Sequence, residues 1–339
     1  MLYRHLLAIF ALTIPCLALC GCDLGAPDEI SPTSLSSVDF RSIDDPTASL
    51  IAWEAQGAIA QADVNGDGIV NIIDLVIVAQ NFGQTVDFPP VKVGTFNIQV
   101  FGETKRSKPE VMDVLVNVAD EFDIMAVQEI RDSSLATPYV YLEAMNAVGD
   151  EMHMVSVGPR LGRTNSKEQY VFYYDMRFVQ LLGAPSTYPD VDGVFEREPF
   201  AARFAAGGFD FVLVNIHVKP DDADAEIRAL GDVVAWAEAE FQDPDVIVLG
   251  DLNADCTYFD EADRQAAVGM NWITPDDFDT TVKGTVCTYD NLLVADSLMD
   301  EFTGEIELFR FDTKYGLDQE AAEDVSDHYP VFAVFSVVQ

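Results

Sequence analysis

The chain has 339 residues, of which 49% are hydrophobic and 23% charged, a composition typical of a globular protein rather than a disordered or fibrous one. Its 58 acidic residues outnumber its 19 lysines and arginines, so the formal net charge is −39. Such a charge argues against a protein whose whole surface attracts nucleic acid. Eleven of the basic residues nevertheless fall between Lys92 and Arg203, so the sequence is compatible with a local basic face on an acidic protein.

Residues 1–21 have the pattern of a signal peptide. Arg4 and His5 precede an apolar run, Leu6 to Leu19, that is too short for a comfortable membrane span but fits the apolar region of an export signal. The run ends in LCGC, which resembles a bacterial lipobox with Cys22 as the lipid-modified residue. We therefore expect export to the bacterial cell envelope or the extracellular space. A lipid anchor in a membrane is favoured over simple secretion.

Residues 22–48 are rich in Ser, Pro, Thr and Asp, which predicts a tether. Residues 49–84 form the next segment, and they contain DVNGDGIVNIID, in which oxygen ligands stand at every position that an EF-hand loop requires. The expected calcium ligands are Asp63, Asn65, Asp67, the main-chain carbonyl of Ile69, Asn71 and Asp74. The loop and the apolar stretch after it resemble one repeat of a type I dockerin, although dockerins carry two. A solvated turn is the alternative, and the partner of such a repeat is not predicted.

Two cysteines, Cys256 and Cys287, lie outside the leader region. In an exported protein, such a pair predicts one disulfide. Two buried free thiols are the alternative.

From residue 91 onward, strand-like apolar runs interleave with helical patterns, and several strands follow each other without a helix between them. This order predicts an α/β domain with mixed sheets. The predicted strands are Val91–Phe96, Asp123–Gln128, Tyr170–Tyr174, Phe209–His217, Val246–Gly250, Asn291–Ala295 and Val331–Val338. The predicted helices are Pro109–Phe122 and Asp221–Phe241.

Polar side chains follow these strands at six places. They are Asn97, Glu129 with Arg131, His217, Asp251 with Asn253, Asp290, and Asp327 with His328. Rigid strands position such groups and the adjoining loops leave them accessible, so we expect one shared site. Two imidazoles and several oxygen ligands would supply the activated water, the proton and the cation that phosphodiester hydrolysis requires. Ordinary turns and structural histidines are the alternative.

Seven motifs carry a resemblance that extends across residues 91–339: FNIQVFGETK, DIMAVQEIRDSS, LGRTNSKEQY, REP, GDLNADC, CTYD and SDHYP. In this order they resemble the motifs of pancreatic-type DNases, a branch of the endonuclease/exonuclease/phosphatase superfamily. The resemblance implies a four-layer sandwich in which two packed mixed β-sheets are flanked by helices. It also implies endonucleolytic cleavage of duplex DNA that leaves 5′-phosphate ends, with Mg²⁺ (or Mn²⁺) and Ca²⁺ as cofactors.

The resemblance further implies roles for individual residues. His217 with Glu168 and His328 with Asp290 would form the acid–base set. The metal and the scissile phosphate would be held by Glu129, Asp251, Asn253, Asp327 and Asn97. DNA or phosphate would be contacted by Arg131, Arg163 and Arg197. Cys256 and Cys287 match a family disulfide, and Asp279, Thr281 and Thr285 match a structural calcium site.

The sequence departs from the family pattern at three places. Ser166 stands where the family has a tyrosine that packs into the DNA minor groove, and Gln99 stands where an arginine is common. The family's small disulfide loop is replaced by YPDVDGVFE, which has no cysteine. Two other functions therefore stay open. They are a superfamily phosphodiesterase that acts on a lipid or a nucleotide, and a catalytically weak calcium-dependent binding protein.

Overall fold

The computed structural model of the chain describes residue 70 and residues 89–148, 152–264 and 268–337. The elements below all belong to the second of the two units into which the chain separates, Val76–Gln339. The predicted signal peptide, Cys22, the tether and all six predicted ligands of the dockerin-like loop lie outside the described residues. Within the described residues, no helix combines the length and apolar character needed to cross a membrane.

The first sheet has six strands in the order β12-β13-β1-β2-β4-β3. In chain order they are β1 (Val91–Phe101), β2 (Ile124–Ile130), β3 (His153–Val157), β4 (Gln169–Asp175), β12 (Phe302–Leu308) and β13 (Val331–Phe335). β1 and β2 run parallel, and the other neighbours run antiparallel.

The second sheet has the order β10-β11-β9-β8-β7-β5, with β6 also paired to β7. Its strands are β5 (Gln180–Leu181), β6 (Ser186–Thr187), β7 (Phe200–Ala206), β8 (Phe209–His217), β9 (Val246–Asp251), β10 (Asn271–Trp272) and β11 (Asp290–Val294). β8 and β9 run parallel and the remaining pairs antiparallel, so both sheets are mixed, as the sequence predicted.

Helices cover the outer faces of both sheets. The described α-helices are α1 (Glu103–Arg106), α2 (Pro109–Ala119), α3 (Thr137–Met145), α4 (Ala223–Arg228), α5 (Leu230–Phe241), α6 (Phe311–Tyr315) and α7 (Gln319–Val325). Short 3₁₀ turns span Pro220–Asp222, Glu261–Asp263 and Asp296–Leu298. The single helix predicted over Asp221–Phe241 is thus a 3₁₀ turn and two helices, which meet at Ala229.

Three apolar clusters hold the layers together. One fills the space between the sheets and includes Val93 and Phe172 from the first sheet and Leu213 and Leu249 from the second. A second cluster packs α2, α3 and the C-terminal helices on the first sheet. The third packs α4 and α5 on the second sheet. These clusters produce the four layers, helix, sheet, sheet, helix, that the resemblance implied.

Candidate active site

The candidate site is the polar end of the space between the sheets. Alternate residues of a strand face the same side, so the apolar inter-sheet positions of each strand continue in register towards its end. In β8 this row runs from Phe209, Phe211 and Leu213 to Asn215 and His217. Corresponding rows of the other strands end in Asn97, Glu168, Asp251 and Asp290. The strand periodicity therefore gathers these side chains at one edge of the sandwich.

A buried polar layer separates this edge from the apolar core. Gln128 donates hydrogen bonds from Nε2 to Asn215 Oδ1 at 2.7 Å and to Thr95 Oγ1 at 3.0 Å. Asn215 in turn donates to the main-chain oxygen of Val127 at 3.1 Å. Because all of these groups are buried and bonded, they join the two sheets rigidly directly beneath the site.

The first imidazole is held by a buried carboxylate. His217 Nδ1 lies 3.0 Å from Glu168 Oε2, and Glu168 Oε1 lies 2.7 Å from Arg197 Nη1. Arg197 also donates from Nη2 to the main-chain oxygen of His217 at 2.8 Å, and the Tyr170 hydroxyl accepts from the main-chain nitrogen of His217 at 2.8 Å. Both the ring and the backbone of His217 are thus fixed.

The second imidazole is held in the same way. His328 Nδ1 lies 2.7 Å from Asp290 Oδ2, and Asp290 is fully buried in β11. Ser326 accepts from the main-chain nitrogen of His328 at 3.1 Å, and its hydroxyl donates to the main-chain oxygen of Asn97 at 2.6 Å. The segment that carries His328 is therefore tied to the end of β1.

The two imidazoles converge on one carboxylate oxygen. Asp251 Oδ2 lies 3.4 Å from Nε2 of His217 and 3.7 Å from Nε2 of His328. This convergence depends on Gly250, which has φ +148° and lies beside Ile216 of β8. A Cβ at Gly250 would approach the main-chain oxygen of Ile216 to 1.8 Å, so only glycine permits the strand contact that places His217 beside Asp251.

Asn97 joins two carboxylates at the open side of the site. Its Nδ2 donates to Asp251 Oδ2 at 2.9 Å and to Glu129 Oε1 at 3.5 Å, while its Oδ1 accepts from the Gln99 main-chain nitrogen at 2.9 Å. Asn253 Nδ2 donates to the main-chain oxygen of Val218 at 3.0 Å. Asn97 was predicted as a metal or phosphate ligand. In the structure its amide nitrogen bridges the two carboxylates and its oxygen accepts from the backbone, and the ligand role stays a prediction.

Several residues around the site have unusual backbone conformations. Positive φ angles occur at Gln99 (41°), Val100 (51°), Glu129 (61°) and Asn253 (48°). Such angles strain residues with side chains, most of all β-branched ones such as Val100. The main-chain nitrogen of Val100 donates to Glu129 Oε2 at 2.8 Å, which helps to hold this conformation. Strained backbone of this kind concentrates at functional sites.

The electrostatics of the site favour protonated imidazoles beside ionised carboxylates. Burial alone would raise the pKa of Glu168, but the charges of His217 and Arg197 outweigh burial and lower the pKa to about 2. Burial would lower the pKa of His217, and Glu168 reverses this effect and raises it. In the second pair, burial opposes the charged form of His328, while Asp290 and Asp251 raise its pKa. Each imidazole can therefore hold a proton close to neutral pH.

The acidic side chains at the open side fit a divalent cation. Glu129 and Asp251 share the Asn97 amide, and Asp327 Oδ1 lies 3.9 Å from His328 Nε2. Single atoms of Asp251, Asp290 and His328 also lie within 4.8 Å of one another. Carboxylate oxygens in this number are the donors that Mg²⁺ and Mn²⁺ prefer. Asp251, Asp290 and His328 thus form a possible metal site, and the predicted ligands Glu129 and Asp327 lie beside it through their contacts with Asn97 and His328.

The three arginines predicted to contact DNA have different surroundings. The Arg197 guanidinium is 5% exposed and contacts Glu168 and the backbone of His217, so in the structure it supports the first imidazole, and its contact with DNA stays a prediction. Arg163 bonds Asp190 Oδ2 at 2.5 Å and the main-chain oxygen of Gly193, both in the loop that departs from the family pattern. Arg131 lies half-buried beside Glu129, with 3.3 Å between Nε and Oε2.

The predicted calcium loop and disulfide lie next to the site. Asp279 Oδ1 accepts from Thr281 Oγ1 at 2.8 Å, and Thr281 Oγ1 also bonds the main-chain oxygen of Thr285. These three residues are therefore close together, and their binding of calcium stays a prediction. Cys256 and Cys287 form a disulfide with 5.9 Å between their Cα atoms, which confirms the prediction of one bridge over two free thiols.

Sequence reasoning missed three buried or half-buried groups that support the site. Glu226 on α4 accepts from the main-chain nitrogens of Glu196 and Lys219, at 3.0 and 3.3 Å, and so clamps the segments next to Arg197 and His217. Lys105 donates to the main-chain oxygens of Ile98 and Val325, both at 2.8 Å, and burial lowers its pKa to about 8. Tyr170 is the third, because its hydroxyl accepts from the main-chain nitrogen of His217 at 2.8 Å. A signal existed for Glu226, because it lies within the apolar spacing of Ala223, Ile227 and Leu230 in the segment predicted as one helix.

Comparison with known proteins identifies the family. The model of the endonuclease/exonuclease/phosphatase family matches residues 94–328. The chain is 34% identical over 258 residues to deoxyribonuclease-1 of Bos taurus, and 36% identical over 258 residues to that of Homo sapiens. Each of these alignments covers 71% of this chain and 90% of the relative. Deoxyribonuclease-1-like 2 of Mus musculus is 35% identical over 257 residues, which cover 72% of this chain and 91% of that protein.

Solved structures share the fold at low sequence identity. A family protein from Leptotrichia buccalis aligns with a TM-score of 0.54 and 17% identity, over 73% of this chain and 100% of that one. The human Nocturnin catalytic domain aligns with a TM-score of 0.51 and 16% identity, over 75% and 97% of the two chains. The fold, the matched residues and the identity to the deoxyribonucleases agree. The chain belongs to the endonuclease/exonuclease/phosphatase family and is similar to its deoxyribonuclease-1 members.

Proposed function

We propose that this protein is an exported, metal-dependent endonuclease that hydrolyses phosphodiester bonds of DNA and leaves 5′-phosphate ends. The observation that carries the proposal is the convergence of two imidazoles on Asp251 Oδ2, at 3.4 and 3.7 Å, each backed by its own buried carboxylate. A phosphate group in front of Asp251 would have one imidazole on each side. This is the arrangement that acid–base catalysis of phosphoryl transfer requires.

In the proposed reaction a water attacks phosphorus and the bond from phosphorus to the 3′ oxygen breaks. The imidazole that acts as base is neutral, and its Nε2 removes a proton from the water. The imidazole that acts as acid is protonated, and its Nε2 donates the proton to the departing 3′ oxygen. Glu168 and Asp290 fix the ring orientation, since each accepts from the Nδ1 position and leaves Nε2 facing the substrate. The products are a 5′-phosphate and a 3′-hydroxyl.

The proposed cofactors are Mg²⁺ (or Mn²⁺) and Ca²⁺. A divalent cation held by Glu129, Asp251 and Asp327 would neutralise the charge that develops on the phosphate. Asn97 keeps the first two of these carboxylates together, and Asn253 anchors the loop after Asp251. Asp279, Thr281 and Thr285 would bind Ca²⁺ for structural reasons, because they offer one carboxylate together with hydroxyl and carbonyl oxygens.

DNA is the proposed substrate because the relatives of about 34% to 36% identity are named deoxyribonucleases. Export is proposed from the signal-peptide pattern of residues 1–21 and agrees with the Cys256–Cys287 disulfide. Lipid modification of Cys22 would anchor the enzyme to a membrane. The dockerin-like segment would add a calcium-binding module, for which we propose no specific partner.

A substrate panel tests the proposal. The purified protein would be incubated with supercoiled plasmid in Mg²⁺ and Ca²⁺, and in parallel with phospholipid vesicles and with a dinucleotide. We expect nicked and then linear plasmid, and nicks that DNA ligase seals without prior phosphorylation, because ligase needs a 5′-phosphate beside a 3′-hydroxyl. Faster hydrolysis of the lipid or the dinucleotide would favour the superfamily phosphodiesterase alternative. DNA binding without cleavage would favour the binding protein.

A further inference from the structure

The acidic chain must still attract a polyanion to its site, and two of the arginines predicted for this purpose are engaged elsewhere. Arg197 lies inside the protein against Glu168, and Arg163 is bound to Asp190 and Gly193. Lys105 is half-buried and donates to two main-chain oxygens. These contacts direct attention to cationic groups at the rim of the site that remain open to solvent.

Lys283 is such a group. Its Nζ lies 3.2 Å from Asp327 Oδ2, and its side chain is 49% exposed. Asp327 Oδ1 lies 3.9 Å from Nε2 of His328, so the ammonium stands one side chain away from a candidate catalytic imidazole. An ammonium group has three donors, so Lys283 can keep Asp327 and still donate to a phosphate oxygen.

The backbone fixes Lys283 in this place. Its loop pairs with the segment that carries His328, through an isolated antiparallel bridge between Thr281 and His328. The main-chain nitrogen of Val282 donates to the oxygen of Asp327 at 2.8 Å, and that of Tyr329 donates to the oxygen of Thr280 at 2.8 Å. The segment directly before the lysine is therefore anchored to the catalytic segment by main-chain bonds.

We propose that Lys283 is a substrate-positioning residue that contacts a DNA backbone phosphate next to the scissile one. Arg131, half-buried beside Glu129, would contact the backbone from the β2 end of the site. The inference rests on the proposed DNase function and adds a residue that none of the sequence motifs indicated. A single phosphate contact positions the duplex without reading its sequence.

Salt dependence of binding distinguishes a phosphate contact from a structural role. Each phosphate contact contributes roughly 0.9 to the slope of log binding constant against log salt on B-form DNA. We would measure binding of a labelled duplex by fluorescence anisotropy, in a His217→Ala background that prevents cleavage, over about 50–200 mM salt. Lys283→Met should lower the slope by about 0.9, whereas Lys283→Arg should keep it.

The matched control is Lys314→Met. Lys314 on α6 is 51% exposed and also forms a single carboxylate pair, 3.0 Å from Glu121, but it lies outside the site. This control removes the same charge from the whole molecule, so it isolates the position of Lys283. In the cleavage-competent protein, Lys283→Met should raise KM severalfold while kcat stays nearly unchanged.

The possible results distinguish a phosphate contact of Lys283 from a purely structural role. An unchanged slope in Lys283→Met, or a loss equal to that of Lys314→Met, would overturn the proposal. A loss of kcat at constant KM and slope would show that Lys283 serves only as a counter-ion for Asp327, which also overturns it. If the parent protein binds duplex DNA but does not cleave it, the nuclease function fails, and the slope still reports on Lys283.

Discussion

Arg197 contacts both the carboxylate and the backbone that hold one candidate catalytic imidazole. Its guanidinium contacts Glu168 Oε1 and the main-chain oxygen of His217, so it fixes both the carboxylate and the backbone that hold one imidazole. The resemblance implied a DNA or phosphate contact for Arg197, and the structure adds contacts inside the protein. Which way an arginine faces depends on the strand that packs over it, here β4 with Tyr170 and the adjoining Glu168. The spacing of residues along the chain does not contain that information.

Replacing Arg197 with lysine tests this internal role. Lysine keeps the charge but loses the planar fork, so Glu168 and the His217 backbone cannot both be held. We expect kcat to fall by a factor on the order of 100, as for a small misplacement of a catalytic group, with KM nearly constant. Steady-state plasmid cleavage provides the measurement, and Arg310→Lys, at an exposed pair with Asp312, is the control. A rise in KM with normal kcat would restore the DNA-contact role.

Helix α4 shows how one element connects two segments of the site. Glu226 is buried on the helix face that packs on the second sheet, and it accepts from the main chain at Glu196 and Lys219. Burial raises the pKa of Glu226 from 4.5 to about 7, although the two main-chain N–H groups and Arg197 oppose the rise. The neutral carboxyl is therefore the favoured form in the folded protein below about pH 7.

This raised pKa gives a stability prediction with a definite sign. Between pH 4.5 and about 7 the folded state binds the Glu226 proton more tightly than the unfolded state, so folding stability falls as pH rises through this window. The full loss is about 3 kcal/mol. Glu226→Gln removes this titration. Unfolding free energies of variant and parent would be measured in urea from acidic to alkaline pH. The parent loses stability across this range and the variant does not, so the difference between variant and parent should rise by up to about 3 kcal/mol. Parallel curves for variant and parent would contradict the assignment, and Glu240→Gln, exposed on α5, is the control.

At the element scale, the sequence predicted most of the central strands, but it missed β7 within the second sheet and the strands at the edges. Buried runs such as Val246–Gly250 are apolar on both faces and are visible in any window. The edge strand β12, FTGEIEL, pairs only with β13 and is largely exposed, so it has no apolar run to recognise. The break at Ala229 was missed for a related reason, because both halves of the segment favour helix and only tertiary packing separates them.

At the scale of the whole molecule, the four-layer fold was predicted through the resemblance, and the site followed from strand periodicity. The apolar rows between the sheets continue into Asn97, His217, Asp251 and Asp290, so the same alternation that forms the core also gathers the site. The net charge of −39 had no bearing on this arrangement. Its consequence is long-range repulsion of DNA, which salt and divalent ions screen.

The N-terminal segment supplies a prediction that is independent of the catalytic domain. Replacing both Asp63 and Asp67 with alanine should remove one calcium site, because these residues supply the first and third side-chain ligands of the predicted loop. Titration calorimetry with Ca²⁺ would show one binding event fewer than in the parent. Plasmid cleavage should stay within a factor of about two of the parent, since no ligand of the loop belongs to the catalytic set. An unchanged number of calcium sites would defeat the EF-hand interpretation.

The central claim is that two imidazoles facing Asp251 carry out the cleavage of DNA. The most direct measurement is the single-turnover rate of plasmid nicking for His217→Ala, His328→Ala and His153→Ala. His153 is the matched control, because it is also a buried histidine paired with a carboxylate, 3.1 Å from Asp120, but lies outside the site. We predict a loss of roughly 100- to 10,000-fold in each of the first two variants and nearly full activity in the third. Near-normal nicking by His217→Ala or His328→Ala, with the fold intact by circular dichroism, would contradict the claim.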